Sequence, residues 1–263
     1  MKIINKKILI TGAASGIGKS LVKVLYKENK VLAVDKDNIA LQRLKEEFVT
    51  ISCVPINLLE EGAVFNSVDL AEQWLGGIDL CFANAGLGYY DSWQQILPQQ
   101  AKEIFTLNVL IPMEYAHLLK RKYPEQTPRL IITASAIAFW AIPGYSYYSA
   151  SKAAIRQFAK GIWTEQDGKW LTLVHPVATK TSFFEKAGNG VPMAWPVQTA
   201  DEVAKAIIQG VEAEKKEIFP SKLFWLSLQL NKLFLFIKPI YQSIELSKLK
   251  LYQRKSSTLS KTN

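Results

Sequence analysis

The 263-residue chain is 49% hydrophobic, 21% charged and 11% aromatic, with 14 glycines and 11 prolines. Those proportions exclude a wholly disordered, collagen-like or low-complexity chain, and the length is enough to bury about 70–75% of the unfolded surface without disulfide or metal staples. The formal net charge of +9 lies almost wholly in residues 215–263, which carry 10 Lys/Arg against 2 Asp/Glu, and this argues against a nucleic-acid binder, whose basic patch would sit on the folded body.

Lys7–Thr11 is a short β-rich run that ends in glycines, and Ile17–Glu28 then carries Ile17, Leu21, Val24 and Leu25 at helical spacing. Val31–Val34 predicts a second strand ending at Asp35. Asn38–Phe48 reads as helix, Ile51–Pro55 as extended, Glu60–Leu75 as helix and Ile78–Ala83 as a buried strand. Pro98–Lys122 is a long helical region in which Pro112 demands a bend or a slipped hydrogen bond. Strand Arg129–Ala134, helix Tyr148–Thr164, strand Trp170–His175, helix Thr199–Glu214 and a short strand Glu217–Phe219 follow. Apolar strands that alternate with amphipathic helices, and lack strict period-2 patterning, predict a parallel sheet covered on both faces. The expected fold class is therefore α/β: a Rossmann-like, doubly wound, mostly parallel sheet in a single domain.

Cys53 and Cys81 sit in apolar runs and are expected as buried free thiols. His117 and His175 have no cysteine partners nearby, so no metal site is expected. The opening MKIINKKILITG reaches its glycine turn before it could provide the apolar core of a signal peptide, so a cytoplasmic location is expected.

The first strand runs into Thr11-Gly12-Ala13-Ala14-Ser15-Gly16-Ile17-Gly18, a G-x-x-x-G-x-G spacing between strand and helix. Glycines there permit a tight turn and let backbone N–H groups approach a pyrophosphate at the helix start. Asp35 closes the second strand, where a carboxylate can accept hydrogen bonds from ribose hydroxyls and repel a 2′-phosphate. This favours NAD over NADP, although Lys36 beside it could tolerate the extra phosphate.

Thr-Gly-x-x-x-Gly-Ile-Gly resembles the short-chain dehydrogenase/reductase family, and the resemblance extends to about residue 215. It implies an NAD(P)-binding catalytic domain over residues 1–217, with cofactor contacts from Gly12, Ser15, Gly16, Ile17 and Gly18. Ala83-Asn84-Ala85-Gly86 is similar to that family's Asn-Asn-Ala-Gly, with Ala83 in place of the first Asn. Asn84, Ala85 and Gly86 are therefore expected to support the sheet and line the cofactor pocket. Asn57-Leu58 occupies the place of an Asp that holds the adenine amino group, and Asn57 can still offer a carbonyl.

Tyr148 and Lys152 are four residues apart at the start of a helix and share a face. A tyrosine titrates near 10 and needs nearby positive charge to act as a base at neutral pH. The resemblance carries over a tetrad: Tyr148 as the proton donor or acceptor and Ser135 as the group that holds the substrate oxygen. Lys152 would lower the tyrosine pKa and bind the nicotinamide ribose, and Asn108 would anchor a water. After strand six the family pattern Pro-Gly becomes Pro176-Val177, with Thr179 and Thr181 beyond; Thr181 matches the usual threonine. Backbone groups of Val177 and Thr179 are expected at the nicotinamide carboxamide.

The specificity region Ser182–Val197 is rich in Phe, Trp and Met, and Gly88-Tyr89-Tyr90 and Ala138-Phe139-Trp140 are expected nearby. Few fixed charges face such a pocket, so a hydrophobic secondary alcohol or ketone is the expected substrate. The competing reading is a catalytically weak cofactor-binding sensor or scaffold, motivated by Ala83, Asn57 and Val177. The resemblance also implies a homodimer or homotetramer.

Residues 218–253 form a hydrophobic, basic extension, and 254–263 a polar end expected to be disordered. Between Lys222 and Lys238 lie 15 residues, eleven of them Leu, Ile, Phe or Trp, too few for a spanning helix of about 20. That stretch could bury against a partner subunit, close over the pocket as a lid, or rest on an anionic membrane surface as a peripheral contact.

Overall fold

The computed structural model describes residues 2–165 and 168–259. Consecutive apolar residues in each strand send their side chains to opposite faces, and both faces are covered. Leu9, Leu32, Cys81, Leu130 and Leu173 join one core layer with Val64, Val68, Tyr115, Leu119 and Ile155. Ile8, Ile10, Val31, Phe82 and Ile131 point the other way, onto Leu21, Val22, Leu44, Ile207 and Val211. Double burial is why the strands lack a polar face.

Seven strands form one parallel sheet: β1 (Lys7–Thr11), β2 (Lys30–Asp35), β3 (Ser52–Pro55), β4 (Leu80–Ala83), β5 (Arg129–Thr133), β6 (Leu171–Val174) and β9 (Glu217–Ile218). Their order is β3-β2-β1-β4-β5-β6-β9. The order reverses between β1 and β4, so a crevice opens at the carboxyl ends of those two strands. Helices α1 (Gly16–Leu25), α2 (Asn38–Glu47) and α8 (Ala200–Glu212) cover one face; α3 (Ala63–Leu75), α5 (Ile111–Lys122) and α6 (Ser146–Glu165) cover the other. This is the Rossmann-like, doubly wound α/β fold in a single domain. Both cysteines are free, Cys81 buried and Cys53 half-buried.

The long helical region at 98–122 is three pieces. Between α4 (Pro98–Phe105) and α5 lies one π-helical turn, Thr106–Leu110, in which the Ile111 N–H bonds the carbonyl of Thr106 five residues back. Pro112 has no N–H to give the Asn108 carbonyl, so an α-ladder cannot run through unbroken, and of the bend or slipped hydrogen bond expected there the slipped register results. Asn108 sits in that turn, fully buried.

Three further features escape the sequence periodicity. A small parallel pair, β7 (Ala178–Lys180) with β8 (Val197–Thr199), frames the specificity region around α7 (Phe183–Ala187). The boundary placed after residue 217 falls inside β9, because Ile218 still pairs with Val174. The extension folds into α9 (Lys222–Leu233) and α10 (Ile237–Leu259). The disorder expected from Arg254 gives way to helix as far as Leu259, because Leu249 is buried and Tyr252 packs edge-on against Tyr90, anchoring α10 near its end. Residues 260–263 lie outside the described residues. No helix among the described residues is long and apolar enough to cross a membrane.

Candidate active site

A cavity of about 710 Å³ opens at the switch point and runs from the β1 glycine loop to α9 and α10. At its inner end, Gly12 and Gly16 adopt left-handed backbone, φ +62° and +51°, where a side chain is strained. A Cβ on Gly18 would lie 2.0 Å from the Gly12 carbonyl oxygen, so the helix can start this close to the turn only with glycine. Ser15 is the N-cap of α1 yet makes no side-chain cap, so the first N–H groups of this ten-residue helix lack the usual side-chain partner. Ser15, Gly16 and Ile17 all line the cavity.

The Thr11 hydroxyl donates to the Phe82 carbonyl at 3.3 Å and accepts the Asn84 and Ala85 N–H groups at 3.0 and 3.1 Å. The Asn84 amide donates to the Thr11 carbonyl at 3.2 Å, and its oxygen accepts the Thr133 hydroxyl at 3.0 Å. Three strand ends are thus tied by two side chains. Thr11 and Thr133 were not among the expected site residues, and a threonine closing a strand gives no sign of such a link.

Asp35 lines the same cavity, its Oδ2 accepting the Ala14 N–H at 3.0 Å and its Oδ1 the Asp37 N–H at 3.2 Å. Asn57 Oδ1 already accepts the Leu59 N–H at 3.2 Å, and its amide nitrogen donates to Glu60, so one carbonyl lone pair remains. Leu58 is buried against this wall. Thr181 packs its methyl group where a Cβ on Gly16 would stand, joining the loop after β6 to the glycine loop. Thr179 is buried and turns its hydroxyl back onto the Val177 carbonyl at 2.9 Å.

Farther out, Tyr148 is half-buried on α6 and packs against Phe183 with ring centroids 5.4 Å apart. Burial pushes its phenol up to about 12, opposed by a hydrogen bond with the Ser135 side chain. Lys152 is buried, donates to the Thr133 carbonyl at 2.8 Å and sits 5.7 Å from the Tyr148 ring centroid. Burial brings its ammonium down to about 7. Ser135 is the neighbour that lowers the tyrosine.

Asn108 accepts the Leu87 N–H at 3.1 Å and donates to the Leu87 carbonyl at 2.8 Å and to Ser151 Oγ at 3.1 Å. Both of its amide N–H groups are used in joining the β4 loop to α6. Gly86 is small for the same reason: a Cβ there would stand 3.0 Å from Asn108 Oδ1. Ser135 Oγ faces the Pro176 carbonyl at 3.4 Å and caps the turn at Ile137.

A description of the short chain dehydrogenase family matches residues 6–191, well over half of the chain. The chain belongs to the short-chain dehydrogenase family. It is 32% identical over 220 residues to Short chain aldehyde dehydrogenase 1 of Euphorbia lathyris, covering 79% of this chain and 73% of that one. It is 24% identical over 244 residues to 17-beta-hydroxysteroid dehydrogenase 13 of Mus musculus, covering 88% and 78%. A solved short-chain dehydrogenase from Sphingobium yanoikuyae in complex with NADPH shares the fold, with a TM-score of 0.74 at 22% identity over 87% of this chain and 94% of that one.

As a short-chain dehydrogenase the protein is an NAD(P)-dependent oxidoreductase, and its inner cavity fits such a group: left-handed glycines, an open helix start and a buried ammonium meet there. Of the aromatic segments expected around the substrate, Gly88, Tyr89, Trp140, Phe183, Phe184 and Trp195 line the cavity, and Tyr145 joins them. Phe139 instead packs against His175 and Phe219, and Tyr90 against Tyr145 and Tyr252. His175 is fully buried with Nε2 3.0 Å from Glu217 and Nδ1 3.3 Å from the Ser135 carbonyl, and burial lowers its pKa despite the carboxylate. Leu223, Phe224, Ser227, Ile237 and Tyr241 also line the cavity, which is the lid alternative among the three expected for the C-terminal extension.

Proposed function

We propose that this short-chain dehydrogenase interconverts a hydrophobic secondary alcohol and its ketone, with Asn108, Ser135, Tyr148 and Lys152 as its catalytic set. The observation that carries the reading is the position of Tyr148. It lines the cavity with Ser135 and Lys152 and packs against Phe183, at the boundary between the polar glycine-loop end and an aromatic outer end.

NAD(P), when bound, supplies the acceptor or donor of the hydride. During reduction Tyr148 gives its phenol proton to the ketone oxygen and is left as a phenolate, which the positive charge of the oxidised nicotinamide favours; during oxidation that phenolate takes the alcohol proton and becomes the phenol again. Ser135 Oγ donates to the same substrate oxygen. Lys152, fixed on the Thr133 carbonyl, offers its remaining protons to ribose hydroxyls. Asn108 positions the Leu87 loop and Ser151. Pro176, Val177, Thr179 and Thr181 form the wall that orients the nicotinamide, and Gly12, Ser15, Gly16, Ile17, Gly18, Asn84, Ala85 and Gly86 hold the rest.

The same proposal gives NAD preference over NADP. Asp35 keeps a carboxylate at the end of β2, and its bonds to Ala14 and Asp37 hold that charge against the adenosine end of the cavity. A 2′-phosphate would meet like charge there. Asn57 and Leu58 flank the adenine. A homodimer or homotetramer through α5 and α6 belongs to the reading as well. Leu110 is 57% exposed, and a separate depression is lined by Met113, Phe158, Ile162 and Trp170 together with Lys120, Arg121 and Glu165. Val109, Ile111 and Ile155 are core residues and contribute nothing to that face. The proposed location is cytoplasmic, with the C-terminal extension against an anionic membrane surface.

The test is turnover of hydrophobic secondary alcohols, followed by reduced-cofactor absorbance with NAD and with NADP in parallel. NAD-linked turnover is expected, with Asp35→Ala narrowing the gap between the two cofactors. Absence of turnover across aliphatic, aromatic and steroid-like alcohols, with cofactor still bound, would leave the sensor reading in its place.

A further inference from the structure

Helices α9 and α10 have two apolar sides. The inner side is used: Phe224 is buried against Trp140 with ring centroids 5.6 Å apart, Tyr241 packs on Trp140 at 5.7 Å, and Leu223, Ser227 and Ile237 line the cavity. These helices roof the substrate end. Their outer side is bare. Leu226, Leu230 and Leu233 are 39–77% exposed and fall within one arc of α9 at helical spacing. Ile240, Ile244 and Leu251 are 53–56% exposed and line up likewise along α10. Where the helices meet, Phe234, Leu235 and Phe236 form a tip that is 49–75% exposed.

A run of large apolar side chains this continuous exceeds what scattered surface hydrophobics explain. Its charge identifies what covers it. After position 214 the acidic residues are Glu217 and Glu245; Glu217 pairs with His175, and Glu245 is buried and bonded to Lys248. Lys222 and Lys232 stand exposed on α9 and Lys250 on α10, with no acidic side chain exposed among the described residues of either helix. Two copies meeting through this face about a two-fold axis would bring these lysines together. An anionic phospholipid surface satisfies both properties, because apolar burial and electrostatic attraction add there.

We infer that the α9–α10 hairpin docks into an anionic bilayer by its Phe234–Phe236 tip and delivers a bilayer-dissolved alcohol or ketone to the cavity beneath it. This rests on the function proposed above and adds to it the source of the substrate. A lipid-soluble molecule with a long apolar body and one oxidisable oxygen leaves the bilayer beside the roof and passes inward along Leu223, Phe224 and Ile237. The opposite rim carries Trp195, 62% exposed, and Met193, whose carbonyl accepts Lys248 of α10 at 3.2 Å. Roof and rim are therefore tied, and an object that engages the hairpin lies beside the mouth.

The experiment uses the full chain and the triple variant Leu233→Glu, Leu235→Glu, Phe236→Glu, none of which lines the cavity. Flotation with phosphatidylglycerol/phosphatidylcholine vesicles at low salt should recover the parent chain, and the variant at least tenfold less. Reduction of a water-soluble aryl ketone should agree within twofold between the two proteins, whereas reduction of a long-chain ketone carried in the same vesicles should fall at least tenfold in the variant. Failure of the parent chain to float, or equal flotation of the variant, would overturn the proposal, as would equal rates on the vesicle-borne ketone. A variant that changes subunit count by light scattering, with no vesicle binding by the parent, would assign the tip to a second copy and overturn it too. Absence of turnover on both ketones would overturn the proposed function and the delivery step. Tip-dependent flotation would then still support the docking, and tip-independent flotation would overturn it.

Discussion

The two ends of one cavity are built by different means. At the cofactor end, recognition surfaces are backbone: glycines in left-handed turns, an open helix start, and loops tied by Thr11 and Asn84 through bonds of 3.0–3.4 Å. At the substrate end the walls are side chains, Trp140, Phe183, Phe224 and Tyr241, drawn from four distant segments and held by ring contacts of 5.4–5.7 Å. Backbone recognition tolerates almost no change in residue type. Aromatic walls can be repacked while volume is kept. The first kind of end keeps its ligand; the second is free to change it.

The largest expected effect strikes where the two ends meet. Tyr148→Phe keeps the ring and its contact with Phe183 but loses the transferable proton, so kcat should fall by about 10²–10⁴ while cofactor affinity changes by less than threefold. Cofactor titration alongside single-turnover kinetics reads both. A loss of cofactor binding equal to the loss of rate would mean that the boundary residue belongs to the cofactor end.

Next comes the cofactor end alone. Gly18→Ala places a methyl group 2.0 Å from the Gly12 carbonyl oxygen, and backbone must move. The expected outcome is cofactor binding weakened at least tenfold and a stability loss of about 1–3 kcal/mol, read by isothermal titration and urea unfolding. On the substrate side, Phe224→Ala should raise KM for a bulky hydrophobic substrate about tenfold and leave cofactor affinity within twofold. Similar damage to both by Phe224→Ala would erase the contrast between the ends.

The last effect is electrostatic and is read on stability, not on turnover. Lys152 has a folded-state pKa near 7, below its ordinary 10.5, because it is buried. Between those values the unfolded chain binds more protons than the folded one, so this group makes stability rise with pH across roughly 7 to 10.5. Below about 7 its destabilising contribution is present in full. Thermal unfolding of the cofactor-free protein should therefore climb more steeply with pH over that window than in Lys152→Met.

The sequence revealed the two ends unequally, for the same reason. Glycine spacing, Asp35 and the Tyr148–Lys152 pair are local patterns, and a local pattern survives in one dimension. Pro112 even foretold a bend or slip at the turn that holds Asn108. The roof showed only as one of three alternatives for the extension, because apolarity on both sides of α9 erases the amphipathic period that tells an inner face from an outer one. The β7–β8 pair also escaped, being three residues per strand and dependent on a partner nineteen residues away. The roles of Thr11, Thr133 and Ser151 arise only from what the fold brings beside them.

Glu217 gives the site a history in time. The glycine loop, Asp35 and Asn84 have all left the ribosome within the first third of synthesis. Ser135, by contrast, has its carbonyl 3.3 Å from a buried imidazole whose other nitrogen meets a carboxylate made 82 positions later, on the last strand of the sheet. A nascent chain that stops short of β9 can assemble its cofactor loop, but its serine still lacks this support. Under the proposed mechanism, the serine is thus the part of the site whose surroundings are completed last.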